Sequence, residues 1–266
     1  MRADEMALKW GEDAEVYGLV LHPLTMKDYG AYLNFGKALT VRLSGLGAKY
    51  TVRCYADALY MLMRDKGDLR WMMFKMLWGL AMGIPKDDVF KCILDPPGEN
   101  KLSGVRVRYG ETLAAILPAQ INEIREMIAV QNGLELPDES DNAEIMDAEE
   151  DAKSGKANGL DLNVFDEIAS VAAVSHLRLD DMKDMRILEY TLLRGAQNRR
   201  MNYILCSIAE GNGAKFKGGN PCPTWLYNKT DELHGLVRID KWEKDMNGVI
   251  KGGMPQGMGE MMGRTK

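Results

Sequence analysis

Apolar residues recur every three or four positions through most of the first 135 residues, which is the spacing of helices that bury one face. Thr25 stands where an N-cap belongs and Asp28 follows at the third helical position. A helix should therefore begin at Met26 and end near Phe35. The same spacing predicts further helices over about 52–64, 68–82 and 118–131. The pair Asn132-Gly133 is predicted to cap the last of these helices at its C-terminus.

Three short segments have the composition of strands. Residues 89–94 and 105–109 alternate between apolar and polar positions around the turn sequence Asp95-Pro96-Pro97-Gly98, so together they predict a small hairpin. Residues 16–21 predict a short strand or an extended lead-in that ends at His22-Pro23. The first 135 residues are therefore predicted to form an α+β module that is mainly helical.

The helix predicted over 68–82 is apolar nearly all round, with methionines and leucines on one side and aromatic residues on the other. Such a helix is either the centre of a domain or half of a partner interface. Most helices of this kind are buried in a core, whereas aromatic anchors are typical of binding hot spots. Seven residues are the candidates for partner binding: Trp71, Phe74, Trp78, Met73, Met76, Trp225 and Tyr227.

An acidic run without any apolar period, residues 136–159, divides the chain. Its sequence, LPDESDNAEIMDAEEDAKSGKANG, cannot bury enough apolar surface to offset the entropy of ordering, and its carboxylates repel one another. We therefore predict a disordered acidic linker between a module at 1–135 and a second module at 160–251.

The second module is predicted to be small and all-α. A short amphipathic helix is expected over 162–174, and a long helix is expected to begin at Asp180 and Asp181 and to reach Glu210. The Gly/Met-rich end of the chain, residues 252–266, is predicted to be disordered.

Composition favours a soluble intracellular protein. The fractions of 46% hydrophobic and 27% charged residues are those of globular domains, and the net charge of −5 gives no general reason to expect nucleic-acid binding. The most apolar run, residues 71–84, is too short to span a bilayer. The four cysteines are scattered, which predicts reduced thiols.

No motif predicts catalysis, a cofactor or a metal site. The segment GNGAKFKGG lacks the Gly-Lys-Ser/Thr ending and the strand–loop–helix context of a phosphate-binding loop. His22, His176 and His234 have no ligand spacing, and GxSxG is absent from the sequence. The prediction is therefore a protein that is not an enzyme.

One alternative function is nucleic-acid binding by a face of basic and aromatic side chains: Arg194, Arg199, Arg200, Lys215, Lys217, Tyr203, Phe216, Trp225 and Tyr227.

Two stretches resemble a known family. One is INEIREMIAVQNGLELPDE (121–139), a helix that ends in Gln-Asn and runs into the acidic segment. The other is 165–225, which begins FDEIASVAAVSHLRLDDMKDMRILEY and ends GNPCPTW, and the early segment VYGLVLHPLTMKDYGAYLNFGKALTVRLS is similar too. In pattern and order they resemble the tail assembly chaperones of long-tailed bacteriophages, in the form common in phages and prophages of Gram-positive hosts.

The resemblance implies a protein that acts in the cytoplasm of the infected bacterium and is absent from the finished virion. It would bind the tape measure protein and recruit tail tube subunits, with no catalytic residues and no membrane partner. Met-rich helices would offer adaptable apolar surfaces, which also allow self-association. The alternative within phage biology is a minor structural protein that stays in the virion.

Overall fold

The computed structural model describes residues 3–96, 101–137, 163–216 and 220–226. It consists of helices and two small antiparallel sheets, which confirms the mainly helical α+β class. The chain divides into two compact units, Met1–Gln197 and Asn198–Lys266.

The first unit opens with helix α1 (Ala3–Trp10) and a two-stranded sheet. Strands β1 (Ala14–Val16) and β2 (Leu19–Leu21) pair antiparallel, with Ala14 opposite Leu21. Tyr17 and Gly18 between them have φ angles of 52° and 76°, as a two-residue type I′ turn requires. The sequence predicts a single extended segment here, because tyrosine seldom adopts a positive φ and so gives no turn signal.

Four helices follow along the first module: α2 (Tyr29–Phe35), α3 (Ala48–Thr51), α4 (Tyr55–Lys66) and α5 (Arg70–Ala81). A 3₁₀ turn at Met26–Asp28 leads into α2, and two more, at Gly36–Ala38 and Ser44–Leu46, lie between α2 and α3. The helices predicted over 52–64 and 68–82 are confirmed within three residues at each end. Thr25 makes no side-chain capping bond, contrary to prediction, and its backbone pairs in a β-bridge with Arg186.

The predicted hairpin is part of a three-stranded sheet. After a 3₁₀ turn (Lys86–Asp88) and helix α6 (Val89–Cys92), the strands are β3 (Ile93–Leu94), β4 (Val105–Tyr109) and β5 (Thr112–Ile116) in the order β3-β4-β5. Ile93 pairs with Val107, so the hairpin is confirmed. Residues 89–92 are helical, however, and a Cβ added to Gly79 of α5 would lie 2.6 Å from Val89. Gly79 therefore lets this short helix pack directly on α5.

Helix α7 (Gln120–Gln131) completes the first module. The Gly133 amide donates to Val130 O (3.2 Å) and the Leu134 amide donates to Ala129 O (2.9 Å). Because Gly133 has a φ of 69°, this is a Schellman ending, and the predicted cap at Asn132-Gly133 is confirmed.

Beyond residue 162 the chain forms α8 (Val164–Val174), α9 (Leu179–Met182) and α10 (Ile187–Gly211). The sequence predicts one helix from Asp180 onward, but it is broken at 183–186. There the Met26 amide donates to Met185 O (2.9 Å) and the Ile187 amide donates to Leu24 O (3.0 Å). Long-range backbone pairing thus replaces helical hydrogen bonds at this position.

The core of the first unit combines residues from both sides of the acidic run. Val171, Met182, Ile187 and Tyr190 are buried in the same cluster as the residues of α2 and α5. Residues 163–197 therefore belong to the first unit, whereas the sequence places them in a separate module at 160–251. Ile168, Ala172 and Met185, whose spacing predicted an independent helical module, pack instead against the N-terminal core. Most of the predicted linker, residues 138–159, and all of 252–266 lie outside the described residues.

Candidate protein-interaction site

Three of the predicted partner-binding side chains are core residues. Trp71, Phe74 and Trp78 on α5 are each 0% exposed. Phe74 packs on Trp71 (ring centroids 5.7 Å apart) and edge-on against Tyr55 (5.5 Å). A fully buried ring cannot contact a partner, so the partner-binding prediction for these three residues is corrected to a role in the core.

The other predicted contact residues are distributed differently. Met73 and Met76 are half-buried and pack against the same core. Trp225, in the second unit, is 45% exposed, and Tyr227 lies outside the described residues. Because Trp71, Phe74 and Trp78 are buried, the predicted residues on α5 do not form an exposed aromatic surface.

A buried ion pair, which sequence reasoning missed, holds α5 to the end of β3. The Lys75 ammonium lies 2.7 Å from an Asp95 carboxylate oxygen, and Trp71 Nε1 donates to the other oxygen at 3.1 Å. The Lys75 side chain is only 4% exposed. A buried ammonium needs such a partner, because desolvation is costly for an unpaired charge. The pair is a structural element of the core.

The Gln131-Asn132 pair carries part of the family resemblance, and it also has a structural role. Asn132 Oδ1 accepts from the Leu24 amide (3.0 Å), and Gln131 Nε2 donates to Leu21 O (3.0 Å). Both amide side chains are buried. They satisfy one backbone group at the end of β2 and one in the segment that follows it, and so they attach this part of the chain to the end of α7.

An open apolar groove lies between α1, the end of α7 and the first turns of α10. We call it the Trp10 groove; its volume is about 890 Å³. Its apolar lining includes Met6, Trp10, Val130, Leu134, Leu136 and Leu192. Trp10 is 74% exposed, Leu192 61% and Met6 46%. Large apolar side chains this exposed around one concave surface are typical of protein-binding sites.

The charges around the Trp10 groove are mostly negative. Glu5, Glu126 and Glu135 line it with a single lysine, Lys9, which is paired with Glu5 at 2.9 Å. Glu126 and Glu135 are exposed. Among the described residues, neither of these two glutamates has an ion-pair partner. The nearby Arg186 lies 3.8 Å from Glu189 and donates to Lys9 O at 3.3 Å.

The second unit contains a different apolar surface. Met201, Ile204, Leu205 and Ile208 follow the i, i+3, i+4, i+7 spacing of one helical face, and we call them the α10 stripe. All four are exposed, between 39% for Ile204 and 57% for Leu205. An exposed stripe of this spacing is the kind of surface by which a helix docks on a partner.

The predicted basic and aromatic face is only partly available. Arg194 bonds Glu167 at 2.7 Å, and this hydrogen bond raises the pKa of the Arg194 guanidinium. Burial raises the pKa of the neighbouring Tyr190, and the Glu167 carboxylate adds to that effect. Arg199 and Arg200 make no ion pair with any described residue, while Lys217 lies outside the described part of the chain.

Cys206 and Cys222 are neighbours in the structure, which the sequence did not predict. The pKa of Cys206 is raised by burial and by a side-chain hydrogen bond with its neighbour Cys222, which lies on the segment after α10. The Asn220 amide bonds Glu210 at 2.8 Å and thereby holds this segment beside the helix. Spacing alone gives no signal for such a pair, because the two thiols belong to no CxxC motif. All four cysteines are free and half-buried.

Within ranges 3–96, 101–137, 163–216 and 220–226, no group of three His, Cys, Asp or Glu side chains could hold a metal ion. In the same ranges, no helix is both long and apolar enough to cross a membrane. The chain matches no protein family model, no curated protein and no solved structure.

Proposed function

We propose that this chain is a non-enzymatic tail assembly chaperone of a long-tailed bacteriophage. It would bind the tape measure protein and recruit tail tube subunits in the cytoplasm of the bacterial host, and it would be absent from the mature virion. The phage assignment rests on the resemblance of segments 16–44, 121–139 and 165–225 to that family.

The observation that carries the binding role is the exposed α10 stripe. Met201, Ile204, Leu205 and Ile208 lie inside the resembling segment and present apolar surface to solvent. A long helical client that aggregates when free needs a surface of this kind, because its own apolar face must be covered until assembly. Methionine in the stripe adds a side chain that adapts to different partners.

Co-expression with the tape measure protein tests the proposal. Such a protein should be encoded directly downstream of this chain. The affinity-tagged chain is expected to keep it in the soluble fraction and to co-purify with it. Leu205→Asp should abolish capture, because a carboxylate in the middle of the stripe opposes burial against an apolar client.

Leu113→Asp is the matched control, since Leu113 is 79% exposed but lies on β5, in the first unit. Equal capture by wild type and Leu205→Asp would contradict the proposal, and so would a client that stays insoluble. Abundant peptides of this chain in purified virions would instead support a minor structural protein of the tail.

A further inference from the structure

We propose that the Trp10 groove binds an amphipathic α-helix of a separate protein whose apolar stripe is flanked by Lys or Arg. This inference names the partner chemistry for the proposed binding role and rests on that role. The Trp10 groove lies in the first unit and shares no residue with the α10 stripe.

Apolar contact is the first requirement that the groove meets. Trp10, Met6 and Leu192 present exposed apolar surface around a concave volume of about 890 Å³, with Leu134 and Leu136 half-buried along its lining. A helix binds such a groove through side chains at i, i+3, i+4 and i+7. Tryptophan is among the residues most enriched at binding hot spots, so Trp10 is the expected anchor.

Charge decides which helix fits. Glu126 and Glu135 are exposed beside the apolar lining and have no ion-pair partner among the described residues. The one lysine of the lining is already engaged by Glu5. A helix flanked by lysines would pair with the two glutamates, whereas a helix flanked by glutamates would be repelled.

Scaffold rigidity supports a preformed site. Leu134 is held by its backbone bond to Ala129 in the Schellman ending of α7. A Cβ on Gly133 would lie 2.6 Å from Leu188 of α10, so the two elements pack closely on one side of the groove. A partner would therefore meet a surface that needs little ordering on binding.

Synthetic peptides provide the probes. The first has roughly 18 residues, or five helical turns, with leucines in one stripe and lysines along its flanks. The second has glutamates in place of the lysines, and the third has the composition of the first with its leucines moved out of the stripe. Binding of each labelled peptide to the full chain is measured by fluorescence anisotropy.

We expect saturable binding of the first peptide and at least about ten-fold weaker binding of the other two. Trp10→Ala should weaken binding of the first peptide roughly thirty-fold, the usual effect of removing a hot-spot side chain. Leu113→Ala is the control, since it removes an equally exposed apolar side chain on β5.

The double variant Glu126→Lys, Glu135→Lys should reverse the preference between the first two peptides. Glu111→Lys, outside the groove, should leave that preference unchanged.

Undiminished binding by Trp10→Ala, or equal affinity for the lysine and glutamate peptides, would overturn the inference. Sedimentation showing a dimer that Trp10→Ala dissociates would assign the groove to a second copy of the chain instead, which also overturns it. Peptide binding without capture of the tape measure protein would remove only the chaperone assignment. Capture of the tape measure protein without peptide binding would contradict only the proposal that the Trp10 groove binds a helix.

Discussion

Helix α5 and the later part of α10 both carry many apolar side chains, but only α10 exposes a stripe of them to solvent. The apolar residues of α5 surround the helix, and Trp71, Phe74 and Trp78 are completely buried. The four residues of the α10 stripe, in contrast, share one face and are exposed there. A helix that is apolar all round is thus a core element, whereas an apolar stripe on an otherwise polar helix is a candidate interface.

The comparison also concerns the charged residues of the two helices. Lys75 of α5 lies inside the core and depends on Asp95, while Arg200 of α10 is exposed. Substitutions in α5 should therefore act on stability, and substitutions in the α10 stripe should act on binding.

The largest effect is expected for Phe74→Ala. The ring is fully buried among Tyr55, Trp71 and Trp78, so its removal leaves a cavity that should lower the free energy of unfolding by about 3–5 kcal/mol. Chemical denaturation measures the change. Leu113→Ala, at an exposed site, should change stability by less than about 0.5 kcal/mol. A loss below about 1 kcal/mol for Phe74→Ala would show that α5 is not the centre of the core.

Asp95→Ala should cost about 3 kcal/mol, because it leaves the buried Lys75 ammonium without its partner. The double variant Lys75→Met, Asp95→Ala removes both charges and should recover part of that loss. Unfolding curves of the two single variants and the double variant give the coupling energy. Additive effects would mean that the two charges do not interact.

Asn132→Ala should cost about 1–3 kcal/mol, since it removes the acceptor for the buried Leu24 amide. Asn34→Ala is the control, because Asn34 is exposed and its side-chain amide donates to Gly30 O in its own helix. Amide hydrogen exchange at Leu24 should accelerate in Asn132→Ala. Unchanged exchange would rule out the bond as a source of protection.

The smallest effect on stability is expected for Leu205→Ser, within about 0.5 kcal/mol, because the side chain is 57% exposed. The melting temperature should stay near that of the wild type while capture of the tape measure protein falls. A marked loss of stability would instead place Leu205 in the core and remove the contrast with α5.

Local patterns predict α4, α5 and α7, whose apolar residues recur at helical spacing, and α7 also has a clear cap. Helices α1 and α3 are not predicted, and α6 lies in a segment predicted to be a strand. Strand β5 is missed because TLAAI is short and rich in alanine, which favours strands weakly. The break before α10 depends on pairing with Leu24 and Met26, which no local pattern encodes. The Trp10 groove is missed for the same reason, because its lining comes from three separated segments.

The attachment of the 183–187 segment to the segment after β2 has a consequence for synthesis. Lys27 and Asp184 form an ion pair although they are 157 positions apart in the chain. At translation rates of about 5–20 residues per second, the ribosome needs roughly 8–30 s to make the intervening polypeptide. During that interval Leu24 and Tyr29 lack the covering side chains of Met182, Ile187 and Tyr190. Leu24 and Tyr29 are therefore made early but enclosed late, and the nascent chain presents their apolar surface while its own second half is still being made.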